Sequence, residues 1–154
     1  MDRPVIDLRD HLAPSQVIDL QSTRKDDVLR EIVGAVAGTD AVTDEEALLE
    51  AVRQREKILS TGIGLGIAIP HARIHAVNRF VVAVGRHAGG LDFESIDQKP
   101  VRIVVLIAGP ADTQKPYLEL LAQLSKRLKL EDVRRQIAGG AEPETVVELL
   151  TADR

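Results

Sequence analysis

One stretch limits what this chain can become more than any other: "REKILSTGIGLGIAIPHARIH", Arg55 to His75. From Thr61 to Ile69 apolar and small residues alternate. Ile63, Leu65, Ile67 and Ile69 fall on one side, and Gly62, Gly64, Gly66 and Ala68 on the other. A period of two is the signature of a β-strand with two unlike faces. The alternation predicts one strand with its branched face in the core and its Gly/Ala face bare enough for close approach. Pro70 has no amide proton to give a ladder, so the strand is expected to end there and to present His71 at its rim.

The three glycines invite a phosphate-loop reading, but the spacing does not support it. Ile67 stands where G-x-G-x-x-G needs its third glycine, and no Gly-Lys-Ser/Thr follows. His71 and His75 have the four-residue spacing of zinc ligands on a helix. However, Ala72 replaces the glutamate of H-E-x-x-H, no third ligand is evident, and Pro70 makes a poor helix interior. No metal is therefore assigned, and His75 reads as a solvated loop residue. His11 and His87 sit in no constellation. There is no Gly-x-Ser-x-Gly elbow for acyl chemistry. What remains is a single histidine with a cation, Arg55, and two hydroxyls, Ser60 and Thr61, just upstream.

The rest of the chain surrounds this stretch with alternating helices and strands. Val28, Ile32, Val33 and Val36 recur at helical spacing between a Ser22-Thr23 cap signal and Gly38. Thr43-Asp44-Glu45-Glu46 has the spacing of a capping box for a second helix carrying Leu48, Leu49 and Val52 toward Arg55. "RFVVAVGR" and "VRIVVLIAG" read as two buried strands joined by the turn-rich "HAGGLDFESIDQKP". A helix from about Thr113 carries Tyr117, Leu120, Leu121, Leu124 and Leu128 on one stripe, and two short helices follow over 131–138 and 142–150. The class is α/β: one domain over residues 1–154, core about 17–150, with a small mixed sheet flanked by helices.

Composition removes several functions. A net charge of −4 without a long basic run, and 2% aromatic residues, argue against nucleic-acid binding. No run approaches the roughly 20 apolar residues of a membrane span. Met1 to Leu20 lacks the apolar core of a signal peptide. The absence of cysteine fits the reducing cytoplasm. The basic cluster Lys126, Arg127, Lys129, Arg134 and Arg135 reads as a solvated face.

The run "REKILSTGIGLGIAIPHAR" resembles the active-site signature of the enzyme IIA domains of the bacterial sugar phosphotransferase system, in the mannitol, fructose and nitrogen-regulatory class. The resemblance extends from about Val17 to Leu150, with a second block in "GPADTQKPYLELLAQLSKRL". It implies an approximately five-stranded mixed sheet and phosphate carried transiently on His71 through Nε2. It also implies a donor, the phosphohistidine of the small carrier protein HPr. No cofactor is implied. Arg55 matches the family's arginine and would neutralise phosphoryl oxygens, with Ser60 or Thr61 helping.

Two departures stand out. Leu65 replaces a residue that is polar in many regulatory members. Tyr117 aligns with the family's second active-site histidine, either as a core ring or as a neutral hydrogen-bond donor to the phosphoryl group. A chain of this length resembles the nitrogen-regulatory members, whose phosphorylation governs binding to a target protein. The alternatives are a fructose- or mannitol-type carrier that serves an enzyme IIB domain, and a module that only binds proteins.

Overall fold

The computed structural model describes residues 6–152; residues 1–5 and 153–154, the ends of the expected domain, lie outside the described residues. Strands β5 (Val81–Leu91) and β6 (Val101–Gly109) pair antiparallel at the centre of a six-stranded mixed sheet. β1 (Val17–Asp19) adds in parallel to β5. On the other side of β6 lie β2 (Gly62–Gly64), β3 (Ile67–Ala68) and β4 (His71–Arg73). The sheet has one strand more than expected because the run from 61 to 73 makes three short strands.

Both central strands are buried on two sides over 81–86 and 103–109, and these are the parts that read as branched runs. In β6, Val104, Leu106 and Ala108 point into a core closed by α1 (Lys25–Ala37) and α2 (Glu45–Ile58). Ile103, Val105 and Ile107 point the other way, toward α3 (Gln114–Leu128), α4 (Glu131–Ala138) and α5 (Pro143–Thr151). None of the described helices is long and apolar enough to cross a membrane.

The helix starts only partly follow the expected caps. α1 begins at Lys25 after Arg24, without a side-chain cap. Its Glu31 instead reaches back to accept from the amides of Gln21 and Ser22, the latter at 2.7 Å. α2 is capped by Asp44, which accepts from Ala47 N at 3.0 Å, while the Thr43 hydroxyl donates to Ala76 O, so no reciprocal box forms. The basic cluster also divides. Arg127 is buried with Nε donating to Leu149 O at 2.8 Å, and Arg134 and Arg135 donate to Leu128 O and Asp132.

The largest correction concerns the alternating run. It is a tight hairpin, not a single strand: β2 and β3 pair antiparallel across Leu65 and Gly66, whose φ angles are 61° and 77°. Gly64, just before them, is positive too at 94°, and positive φ at both central residues is the mark of a primed two-residue turn. The reversal puts Ile63 and Leu65 outside, 53% and 60% exposed, while Ile67 and Ile69 are buried as expected. The glycines, not the isoleucines, pack inward at the start of the hairpin. A methyl on Gly62 would lie 2.9 Å from Ser95 Cα.

After β3 the chain stays in register along β6, and β4 resumes the parallel pairing with His71 opposite Ile107. The interruption falls at Ile69–Pro70. Pro70 has no amide to donate, although its carbonyl still accepts from Ile107 N at 3.1 Å. β3 therefore ends two residues before the proline, and His71 opens the next strand.

Candidate active site

β2 covers β3 but not β4, so His71–Arg73 lies along β6 with no named strand on its outer side among the described residues. Strand alternation then sorts the three side chains. Ala72 is buried in the α1/α2 core, while His71 and Arg73 share the opposite face and are half-buried.

His71 Nδ1 lies 3.1 Å from Ile69 O. A carbonyl can only accept, so Nδ1 carries the proton and Nε2 keeps the free lone pair. Burial holds the imidazole below its ordinary value near 6.5; the charges of Arg55 and Arg73 act in the same direction, while the bond to Ile69 and the Glu56 carboxylate offset part of the effect. The shift favours the uncharged ring at neutral pH.

Tyr117, in the first turn of α3, meets His71 through its ring, with centroids 5.0 Å apart and planes tilted by 33°. The residue is 9% exposed, and burial raises its phenol above the ordinary value against the lowering charges of Arg55 and Arg73. Arg55, in the last turn of α2, borders the histidine and donates from Nη1 to Leu59 O at 3.0 Å.

The two upstream hydroxyls donate internally. Ser60 Oγ donates to Phe93 O at 2.6 Å and accepts from Gly62 N. Thr61 Oγ1 donates to Glu56 Oε1 at 2.6 Å, and Thr61 N donates to the other oxygen of that carboxylate at 2.9 Å. Glu56 is 8% exposed and is paired with Lys25 Nζ at 2.8 Å. This carboxylate pins the entry to β2 from inside α2. Nothing in the string "REKI" distinguishes a buried Glu56 from its solvated neighbours. The signal for Arg73 is the His-x-Arg spacing, which puts it two residues on from His71 along a strand.

His71 stands between two clefts. One, of about 760 Å³, is lined by Arg55, Arg73, Asp112, Gln114 and the small residues Ala51 and Ala111. The other, of about 460 Å³, is mostly apolar, with Leu59, Ile63, Ile96, Leu121 and Tyr117 in its walls. Ile58, Leu59, Ile63, Leu65 and Ile96 are all more than half exposed. Among the described residues no three His, Cys, Asp or Glu side chains converge as a metal site, and the extended His71–Arg73 segment does not put His71 and His75 on a common helical face. His11 Nδ1 lies 2.8 Å from Phe80 O.

The site thus combines an imidazole whose Nδ1 is hydrogen-bonded with two arginines that line the same cleft. The chain belongs to the family described as "Phosphoenolpyruvate-dependent sugar phosphotransferase system, EIIA 2", whose profile it matches over residues 12–153. It is 33% identical over 141 residues to the fructose-specific EIIA component of Haloferax volcanii, covering 90% of this chain and 92% of that one. It is 34% identical over 133 residues to the fructose-specific EIIABC component of Bacillus subtilis, but spans only 21% of that longer protein. The nitrogen regulatory protein of Bradyrhizobium diazoefficiens is 28% identical over 148 residues, covering 96% and 94% of the two chains. The crystal structure of IIA-Ntr from Neisseria meningitidis superposes with a TM-score of 0.87 at 26% identity, covering 94% of this chain and 99% of that one. The Escherichia coli mannitol IIA, solved in complex with phosphorylated mannitol IIB, shares the fold at a TM-score of 0.78 and 22% identity, covering 90% of this chain and 96% of that one.

Proposed function

We propose that this chain is a cytoplasmic phosphocarrier that takes a phosphoryl group from the phosphohistidine of HPr onto His71. The Nε2 lone pair attacks phosphorus in line; the new P–N bond forms as the donor's P–N bond breaks, and the donor imidazole leaves with the electron pair. The step balances without a co-reactant. Catalysis in such transfers comes from positioning and from charge set against the phosphoryl oxygens. The observation that carries the proposal is the Nδ1 bond to Ile69 O, which leaves Nε2 as the free nitrogen of a ring that lines a cleft together with Arg55. Ser60 and Thr61 act by fixing the loop between α2 and β2, since both hydroxyl protons are already used. The exposed apolar residues around the second cleft give the donor protein a docking area.

For the output we favour regulation of a target protein, the nitrogen-regulatory mode. Its support is the near full-length similarity to nitrogen regulatory proteins and to the Neisseria structure. Delivery to an enzyme IIB domain is the second reading, favoured by the identity with fructose components. Incubation with enzyme I, HPr and phosphoenolpyruvate should load one acid-labile, alkali-stable phosphate per chain, and His71→Ala should abolish it. Labelling that survives His71→Ala sinks the carrier function, and no labelling at all leaves the pure interaction module. Adding a fructose-type IIB then separates the outputs, because a sugar carrier discharges to it and a regulator does not.

A further inference from the structure

We propose that Arg73 is a second phosphoryl-binding cation of the His71 site and that the Tyr117 ring holds it in place. The inference rests on the phosphocarrier function above and extends it to a residue outside that set.

Three observations carry it. First, β4 puts Arg73 two residues from His71 on the same strand face, and both side chains line the larger cleft with Arg55. Second, the Arg73 guanidinium lies over the Tyr117 ring, with Cζ 5.2 Å from the centroid. A cation at that distance from an aromatic face is attracted by the ring's quadrupole. Third, the same ring meets His71 at 5.0 Å. One buried aromatic therefore fixes the nucleophile and the cation together.

The geometry also divides the labour between the two arginines. Arg55 comes from the end of a helix and ties one guanidinium nitrogen to Leu59 O. Arg73 comes from a strand laddered to β6 and has its face against Tyr117. The phosphoryl group on Nε2 has three peripheral oxygens, and a planar guanidinium can donate two parallel hydrogen bonds to two of them. Arginines reaching the cleft from two different elements can neutralise the group from two sides while the P–N bond forms. Lysine at position 73 keeps the charge but loses both the fork and the stacking.

The test measures the rate of His71 phosphorylation by two donors, phospho-HPr and the small molecule phosphoramidate. Arg73→Ala should slow labelling about tenfold with both donors, and Arg73→Lys should recover only part of the rate. Arg73→Ala should cost that tenfold in a Tyr117→Phe background, which keeps the ring, and little in a Tyr117→Leu background, which removes it. Rates in Arg73→Ala equal to native with both donors would overturn the role of Arg73. An undiminished cost in the Tyr117→Leu background would overturn the role of the ring. Arg73-dependent labelling by phosphoramidate with none from phospho-HPr would overturn the carrier function and leave this inference standing. A native protein labelled by neither donor would overturn both.

Discussion

The two clefts beside His71 share the histidine and Arg55 and differ in almost everything else. The larger is polar, with Arg73, Asp112 and Gln114; the smaller is walled by Leu59, Ile63, Ile96 and Leu121. In the transfer proposed above, charge at the first cleft serves the phosphoryl group and apolar surface at the second serves the protein that brings it. Such a transfer needs both, because a phosphohistidine arrives attached to a whole protein and must be held within bonding distance of Nε2. On that proposal chemistry and docking lie side by side and can be damaged separately.

The sharpest way to separate them is Arg55→Ala. Loss of a charge-assisted contact costs about 1.5–3 kcal/mol, so transfer should fall roughly ten- to a hundredfold with phospho-HPr and with phosphoramidate alike. A native rate in single-turnover labelling would remove Arg55 from the chemistry. Acid should act on the same side. Because burial and two cations hold His71 below its ordinary value near 6.5, labelling should stay level as pH drops to that point. It should then fall, by up to about tenfold per unit, once pH passes the native pKa. Stability has the same sign: the unfolded imidazole takes its proton first, so stability is fully present above about 6.5 and is lost as pH falls from there through the lower native pKa. A pH–rate profile together with a pH series of urea melts checks both.

Next in size is Ile63→Asp on the apolar side. Removing that contact costs about 1.5 kcal/mol of docking, which should raise the phospho-HPr concentration needed for half-maximal rate roughly tenfold. Phosphoramidate labelling should not change, and a parallel loss with both donors would mean that the two clefts are not separable. The smallest effect belongs to Tyr117→Phe. A neutral hydrogen bond contributes about 0.5–1.5 kcal/mol, so loss of the hydroxyl should slow transfer only two- to several-fold. An unchanged rate would leave the ring alone as the contribution of residue 117.

Much of the fold is legible in the residue pattern. The two branched runs fall in β5 and β6 because burial on both faces favours apolar residues over 81–84 and 103–108, and the five named helices fall near their expected bounds. His71 was marked by the proline before it. The hairpin was not readable from alternation, because a two-residue turn preserves the period of two while exchanging which residues face inward. The paired glycines around Leu65 were the available clue, since such a turn requires positive φ at consecutive residues. Glu56 and Arg73 were hidden for different reasons. The burial of Glu56 is decided by what lies across from it, Lys25 and Thr61, which no local pattern records. The stacking of Arg73 depends on a tyrosine 44 positions further along a separate helix.

β3 and β4 keep one register along β6. The backbone that carries His71 is fastened on its inner side to a strand that is buried from Ile103 to Gly109, through Ile107 and its neighbours. On the proposed function, a phosphoryl group added at Nε2 has little backbone to displace, and the loaded and unloaded proteins present nearly the same shape and differ by the negative charge at one point. A target that distinguishes them has to act as an electrometer, with its own arginines or carboxylates placed against that point, and its discrimination should fade as salt shortens the range over which the charge is felt.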